Sequence, residues 1–254
     1  MPLATDRLHA EQAFHDRQAG LRTATFQIQP SALHVDVDSY LDHETWIRPA
    51  FAQLGDVSGR DVLDFGCGHG MAAVTLAKLG ARVTAFDLSP GYLHEARRRA
   101  EANRVSINFT QADGDQLPFA NESFDRIWGN AILHHIDLNR AAHELHRVLR
   151  PGGLAVFAEP WGENPLLNLA RRHVRYPGKE RTPDEQPMRL RDLAVLRRSF
   201  SHVQTHGHQL LSMVRRVLPP GRLVRTLDRC DARLLTHLPF LQRFCRYMVL
   251  TVRR

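Results

Sequence analysis

Residues 62–70 read VLDFGCGHG: an apolar run closed by an acid, Asp64, then glycines at 66, 68 and 70 with Cys67 between them. Glycine lacks a Cβ, so such a turn can take positive φ and let a ligand lie against the main chain. A helix starting directly after it would point its positive end at a carboxylate. More ligand-binding groups follow. Asp87 in AFDLSP is placed to accept hydrogen bonds from the two hydroxyls of a ribose. Asp113 and Gly114 in ADGDQLPF offer an acceptor for an adenine amino group, and Asn130 closes FDRIWGN. The glycine spacing is G-x-G-x-G, whereas the dinucleotide fingerprint is G-x-G-x-x-G. LPF (117–119) and LRPGG (149–153) also lack a counterpart there, which argues against a nicotinamide-dependent dehydrogenase.

These groups need elements to carry them, and the chain supplies a regular alternation from residue 61. DVLDF reads as a buried strand, the glycine turn follows, and MAAVTLAKL reads as a helix ended by Gly80. ARVTAFDL is a second strand and PGYLHEARRRAEAN a helix with Pro90 at its start. VSINFTQAD, FDRIWGN and LAVFAEP are strands three to five, with a helix near 137–149 and the turn RPGG before the fifth. Strands alternating with helices imply a parallel, doubly wound α/β sheet, which binds ligands at the carboxyl ends of its strands. Residues 1–58 read as mainly helical with no chemical motif of their own. After Pro160 a Pro-, Gly- and charge-rich stretch reads as a long loop with one helix. FSHVQTHG (200–207) and RYMVLTVR (246–253) read as two late strands separated by room for two helices. The expected organisation is a single domain over 1–254: N-terminal helices over 1–58, a ligand-binding core over 59–160, and a substrate side over 161–254 with a helical insertion at about 208–245.

Ribose, adenine, amino and carboxylate contacts in chain order describe S-adenosylmethionine, whose demethylated product is S-adenosylhomocysteine. VLDFGCGHG, AFDLSP, QADGDQLPFANESFDRIWGNAILHHI and ELHRVLRPGG together resemble the successive motifs of class I S-adenosylmethionine-dependent methyltransferases. The nearest subgroup contains the ubiquinone/menaquinone-biosynthesis C-methyltransferases and many natural-product enzymes, and the likeness covers roughly residues 58–160. It implies a Rossmann-like seven-stranded sheet of order 3-2-1-4-5-7-6 with the last strand antiparallel. It further implies that Asp64, Gly66, Gly68 and Gly70 surround the methionine part, Asp87 holds the ribose, and Asp113 with Gly114 contacts the adenine. Cys67, Leu88 and Asn130 complete the candidate cofactor-binding set. In this family N-terminal helices often close the site, which makes Tyr40, His43 and Trp46 in YLDHETWIRP candidate substrate residues.

Methyl transfer from a sulfonium is an in-line displacement, so the protein contributes position, alignment and water exclusion. A hydroxyl or acidic-carbon acceptor must also lose a proton, which calls for a general base. His134 and His135, just past strand four, are the candidates, one serving as base while the other packs. Glu159, after strand five, either orients an acceptor or caps a turn, and Trp161 beside it is a candidate on the substrate side. No metal is expected: HELH (143–146) is not H-E-x-x-H and no third ligand stands near it in sequence.

The net charge of +7 is unevenly spread, because residues 165–254 hold 19 Lys and Arg against 6 Asp and Glu. That balance suits solvated faces, or an anionic partner such as a membrane surface, a phosphorylated substrate or RNA. In RLVRTLDRCDARLLTHL (222–238), leucines and arginines recur at helical spacing on neighbouring faces. This helix would lid an apolar substrate, pack on its own domain or a second subunit, or lie in a membrane interface. The basic third lacks the interleaved aromatics of a base-stacking surface, so nucleic acid is not the expected partner. No N/D-P-P-Y/F segment or Pro-Cys pair supports amino- or cytosine-methylation of nucleic acid. Three scattered cysteines, no apolar run near 20 residues and no leader-like N-terminus point to a cytoplasmic protein, with peripheral membrane contact through 222–238 as an option. The expected function is methyl transfer to a small hydrophobic metabolite: a quinone, a lipid precursor or a polyketide-like acceptor. The rivals are an RNA methyltransferase and a non-catalytic S-adenosylmethionine-binding module.

Overall fold

The structure, a computed structural model, describes residues 4–28, 30–173, 186–219 and 221–254. Helix α1 (Ala4–Ile28) is followed by a 3₁₀ turn and by two short helices, α2 (Val37–Leu41) and α3 (Ile47–Leu54). The alternating unit then runs β1 (Asp61–Phe65), α4 (Met71–Lys78), β2 (Arg82–Asp87), α5 (Pro90–Ala102), β3 (Ile107–Gln111), β4 (Phe124–Asn130), α6 (Leu138–Val148) and β5 (Leu149–Pro160). Helices α7 (Pro165–His173) and α8 (Leu190–Ser199) lead to β6 (His202–His208), and α9 (Arg222–His237) precedes β7 (Tyr247–Arg253). The loop expected after Pro160 thus holds α7, its stretch 174–185 lying outside the described residues.

The seven strands form one sheet of order β3-β2-β1-β4-β5-β7-β6. β1 pairs in parallel with β2 and β4, whereas β7 runs antiparallel to both β5 and β6. Central position explains the sequence of β1: all of it but Asp61 is buried, so both faces are apolar. Leu63 and Phe65 join a core with α6 and α8, while Val62 joins the opposite core with α3 and α4. The RPGG segment is drawn into β5, which begins at Leu149. A register shift against β4 between Phe124 and Arg126 absorbs the extra residues, and Gly152 takes φ +74°.

Most helix boundaries follow from local chemistry. Ser89 caps α5 by accepting from the Tyr92 N–H, with Pro90 in the first turn, and Asp137 caps α6 through Asn139 and Arg140. Helix α9 is held differently, because the buried Asp231 carboxylate accepts from the N–H groups of Leu210, Leu211 and Ser212. It buries little apolar surface: Leu223 is 60% exposed, and only Val224 and Asp231 are buried.

Gly129 pairs with Phe157 of the neighbouring β5, and a Cβ there would run into the Phe157 ring. Gly129→Ala is therefore expected to destabilise the fold by about 1–3 kcal/mol through overpacking, read from the urea midpoint at unchanged m-value.

Candidate functional site

The glycine turn between β1 and α4 is fixed by its neighbours. Cys67 N–H donates to the Phe86 carbonyl at 2.8 Å, and Gly68 N–H donates to Asp87 Oδ2 at 2.8 Å. The other oxygen of Asp87 accepts from Ser89 N–H at 2.9 Å. One carboxylate thus ties the turn after β1 to the turn after β2. On the far side the buried Arg99 guanidinium holds the His69 carbonyl at 2.9 Å, the Ala32 carbonyl at 3.0 Å and Glu95 at 2.7 Å. Gly66, Gly68 and Gly70 all have positive φ. At Gly66 a Cβ would strike Ile132 and at Gly70 it would strike Ala96, but at Gly68 it would meet nothing within 4 Å. Gly66 and Gly70 are therefore packing requirements, and Gly68 exposes its main chain to open space.

That space is a cavity at the carboxyl ends of β1, β2 and β4. Gly66, Gly68, Asp87 and Leu88 line one side, and Asp113, Gly114, Asn130 and His135 line the other. Eight of the sequence candidates thus come together. The remaining ones lie off its lining. Asp64, buried at the end of β1, receives a hydrogen bond from the backbone of Ala73 and so caps α4 from beneath. Cys67 points its buried thiol away, and burial raises its pKa well above the ordinary thiol value. Tyr40 and Trp46 pack into the core that includes α3 and α4; Trp46 stacks on Tyr247 at 3.7 Å, and His43 is exposed. Trp161 is fully buried in the other core.

His134 and Glu159 form a buried pair, Nδ1 to Oε2 at 2.7 Å. The second Glu159 oxygen accepts from the N–H groups of Ile132 at 2.9 Å and Leu133 at 2.8 Å. Glu159 therefore anchors the turn after β4, in the manner of a loop cap, and this turn brings His135 to the cavity. Helix α1 covers the opening. Its Asp16 accepts from Ser89 Oγ and Gly91 N–H, Gln18 accepts from the Tyr92 hydroxyl, and Arg22 pairs with Glu95. Leu8, Glu11 and His15 of α1 complete the lining, together with Tyr92 and His69. Sequence reading passed over these α1 residues because nothing in their own segment marks them. Their only local signal is the four-residue spacing of Glu11 and His15, common on any helix.

Burial shapes the charges. The Asp64 carboxyl is pushed up to about 8 by burial, then by the charge of Asp87. Burial likewise raises Asp87, against the hydrogen bonds from Ser89 and Gly68. His69 falls to about 3 through burial and the nearby Arg22 and Arg99, so it is a neutral imidazole. The residues present fit S-adenosylmethionine. Each Asp87 oxygen accepts one backbone N–H and keeps lone pairs for a hydroxyl. Asp113 accepts from Asp115 N–H through Oδ1 alone. Asp64 Oδ2 has no hydrogen-bond partner, which leaves a buried carboxylate behind the turn that a nearby cation would favour.

Comparison with known proteins agrees with this geometry. Residues 63–157 match a family described as "Methyltransferase domain". Over this segment the chain is similar to methyltransferase domains. A methyltransferase, GfsG, from Streptomyces halstedii is 42% identical over 120 residues, 46% of this chain and 43% of its own length. A demethylmenaquinone methyltransferase from Tropheryma whipplei (strain Twist) is 38% identical over 122 residues, 48% of this chain and 50% of its own. The chain thus spans about half the length of the curated relatives it matches. Among solved structures, an S-adenosylmethionine-dependent methyltransferase from Mesorhizobium loti shares the fold at a TM-score of 0.55 and 23% identity, over 84% of this chain and all of that one. The [4+2]-cyclase SpnF shares it at 0.54 and 21% identity, over 82% and 80%.

The raised pKa of Asp64 has a sign that can be tested. The folded state binds this proton between the ordinary carboxyl range near pH 4 and about 8, where the unfolded state has released it. Stability without cofactor should therefore fall as pH rises from 5 to 8. Asp64→Asn, which preserves an acceptor for the Ala73 N–H, should remove that component. Thermal melts of both proteins across this range check it.

Proposed function

We propose that this protein transfers a methyl group from S-adenosylmethionine to a small hydrophobic acceptor. The observation that carries the reading is the strand-end cavity, where Asp87, the open main chain of Gly68, and Asp113 with Gly114 converge. When bound, S-adenosylmethionine supplies the transferable methyl group. The chain's own residues do the rest. Asp87 holds the ribose hydroxyls, Asp113 and Gly114 face the adenine, and the turn 66–70 receives the amino-acid part. Leu8, Ile132 and Ile136 give the cavity an aliphatic side suited to an apolar acceptor. Helix α1 acts as the lid, excluding water and holding the acceptor in line. The acceptor reading is also supported by relatives named for a quinone precursor.

His135 is the histidine that faces the acceptor, while His134 and Glu159 are positioning residues that set its turn. His135→Ala should lower kcat by about 10²-fold or more, with cofactor affinity nearly unchanged. His134→Ala should act mainly on stability. Steady-state kinetics and melts on the two variants separate these outcomes.

The same fold in a cyclase supports keeping a second reading, a module that binds the cofactor without transferring a methyl. Incubation of the pure protein with methyl-labelled S-adenosylmethionine and a cell extract decides. Label is expected in the organic fraction. Label in RNA or protein would overturn the small-acceptor reading, and no label in any fraction would favour the non-catalytic module.

Helix α9 gives the protein a surface for peripheral contact. No helix of the described residues is long and apolar enough to cross a membrane. Yet Arg222, Arg225, Arg229 and Arg233 are exposed along α9, beside exposed Leu223, Leu238 and Phe240. This combination suits an anionic membrane interface in a cytoplasmic setting. Co-sedimentation with phosphatidylserine vesicles should be lost at high salt and on Arg225→Glu with Arg229→Glu. Self-association through this helix instead of vesicle binding would overturn the membrane contact.

A further inference from the structure

The sequence offers no metal motif, yet the fold gathers a donor set where α1 crosses the turn after β4. Glu11 and His15 share one face of α1, and His135 approaches from the 3₁₀ turn Leu133–His135. His15 Nε2 is 3.5 Å from Glu11 Oε2. His135 Nδ1 is 3.4 Å from Glu11 Oε1 and also 3.4 Å from Oε2. One donor atom from each of the three residues lies within 4.8 Å of the others. The two imidazole rings stand edge to face, with centroids 5.9 Å apart. Glu11 is buried, both histidines are half-buried, and all three line the cavity.

The contacts of this trio are looser than those of a tight charge-assisted pair. A charge-assisted N–H···O bond closes to about 2.7–2.9 Å, as His134 and Glu159 do at 2.7 Å. The contacts of Glu11 with His15 and His135 are 3.4–3.5 Å. Donors about 2.0–2.1 Å from a tetrahedral ion lie about 3.4 Å from one another, so the Glu11 contacts have the spacing of ligands around a cation. Two imidazoles and one carboxylate are also a donor set of first-row divalent metals. Asp87 lies close enough to His15 for their charges to interact, which places a second carboxylate in the surrounding field.

We propose that Glu11, His15 and His135 bind a first-row divalent cation of the zinc type, with the remaining coordination position open to the cavity. The open position would take an oxygen donor of a small molecule, such as a phenolate, enolate or carboxylate, or water. His135 is then a ligand, and its imidazole is not available as a free base while the ion is bound. The site goes beyond the methyl-transfer reading, and its test needs neither S-adenosylmethionine nor an acceptor.

The test is spectroscopic and needs no substrate. The whole chain, stripped with a chelator, is titrated with Co2+ and then with competing Zn2+. The expected result is one Co2+ per chain with the intense visible absorption of a four-coordinate site, displaced by Zn2+. Glu11→Gln, His15→Ala and His135→Ala should each abolish the absorption and weaken Zn2+ binding by about 100-fold or more. His143→Ala, on the exposed face of α6, should not. Substoichiometric Co2+, a six-coordinate spectrum, or binding indifferent to the three substitutions would overturn the site and leave a hydrogen-bonded trio. If a variant fails to fold by circular dichroism, the spectrum and stoichiometry of the unmodified chain still decide. S-adenosylmethionine binding, measured separately by calorimetry, distinguishes failure of this site from failure of the cofactor reading.

Discussion

The site depends on one carboxylate. Asp87, at the end of β2, accepts the Gly68 N–H with one oxygen and the Ser89 N–H with the other. It thereby sets the glycine turn against the start of α5. That bond forms only if β1 and β2 pair in register, Phe65 beside Phe86, so that the two strand ends stop level. Everything that lines the cavity is then hung on this corner. The turn exposes the Gly68 main chain, the Ser89 cap starts α5, and α5 offers Tyr92 and Gly91 as the landing for α1. Burial raises the pKa of this carboxylate, and Asp64 behind it is raised by its own burial and then by the charge of Asp87. Two acids buried this close carry an electrostatic cost that a cationic ligand would offset.

The buried polar groups behind the cavity each hold backbone groups and an ionisable side-chain partner. Arg99 holds the His69 and Ala32 carbonyls while neutralising Glu95. Glu159 holds the turn after β4 by two N–H groups and orients His134 with its remaining oxygen. These buried acids and bases are satisfied pairs, which is how a low-dielectric interior tolerates charge. Asp87, by contrast, lines the cavity and keeps lone pairs that a ligand's hydroxyls could use.

The stretch from 61 to 160 was legible because its signals are local. Buried strands read as apolar runs, Pro90 and Gly80 mark helix ends, and the binding acids sit at strand ends by construction of the fold. The order of the last two strands came from the resemblance, and the antiparallel β7 agrees with it. What stayed hidden depends on distant packing. Glu11 and His15 look like any helical surface until α1 is laid over α5. Tyr40 and Trp46 look like lid residues until Trp46 is seen stacked on Tyr247, some 200 residues along the chain. Glu159, a candidate for chemistry by its position at the end of β5, is spent on the backbone of the facing loop and on His134. The Leu and Arg stripes of α9 were read correctly as a pattern, but only the fold shows that Leu223 stays exposed and that Asp231 holds the helix in place.

The most direct test of the central claim is calorimetric titration of S-adenosylmethionine into the protein and into Asp87→Ala. Saturable 1:1 binding to the unmodified chain is expected, weakened about tenfold or more once the proposed ribose acceptor and its hold on Gly68 are gone. Binding of equal strength to both proteins, in a variant whose melt shows an intact fold, would contradict it.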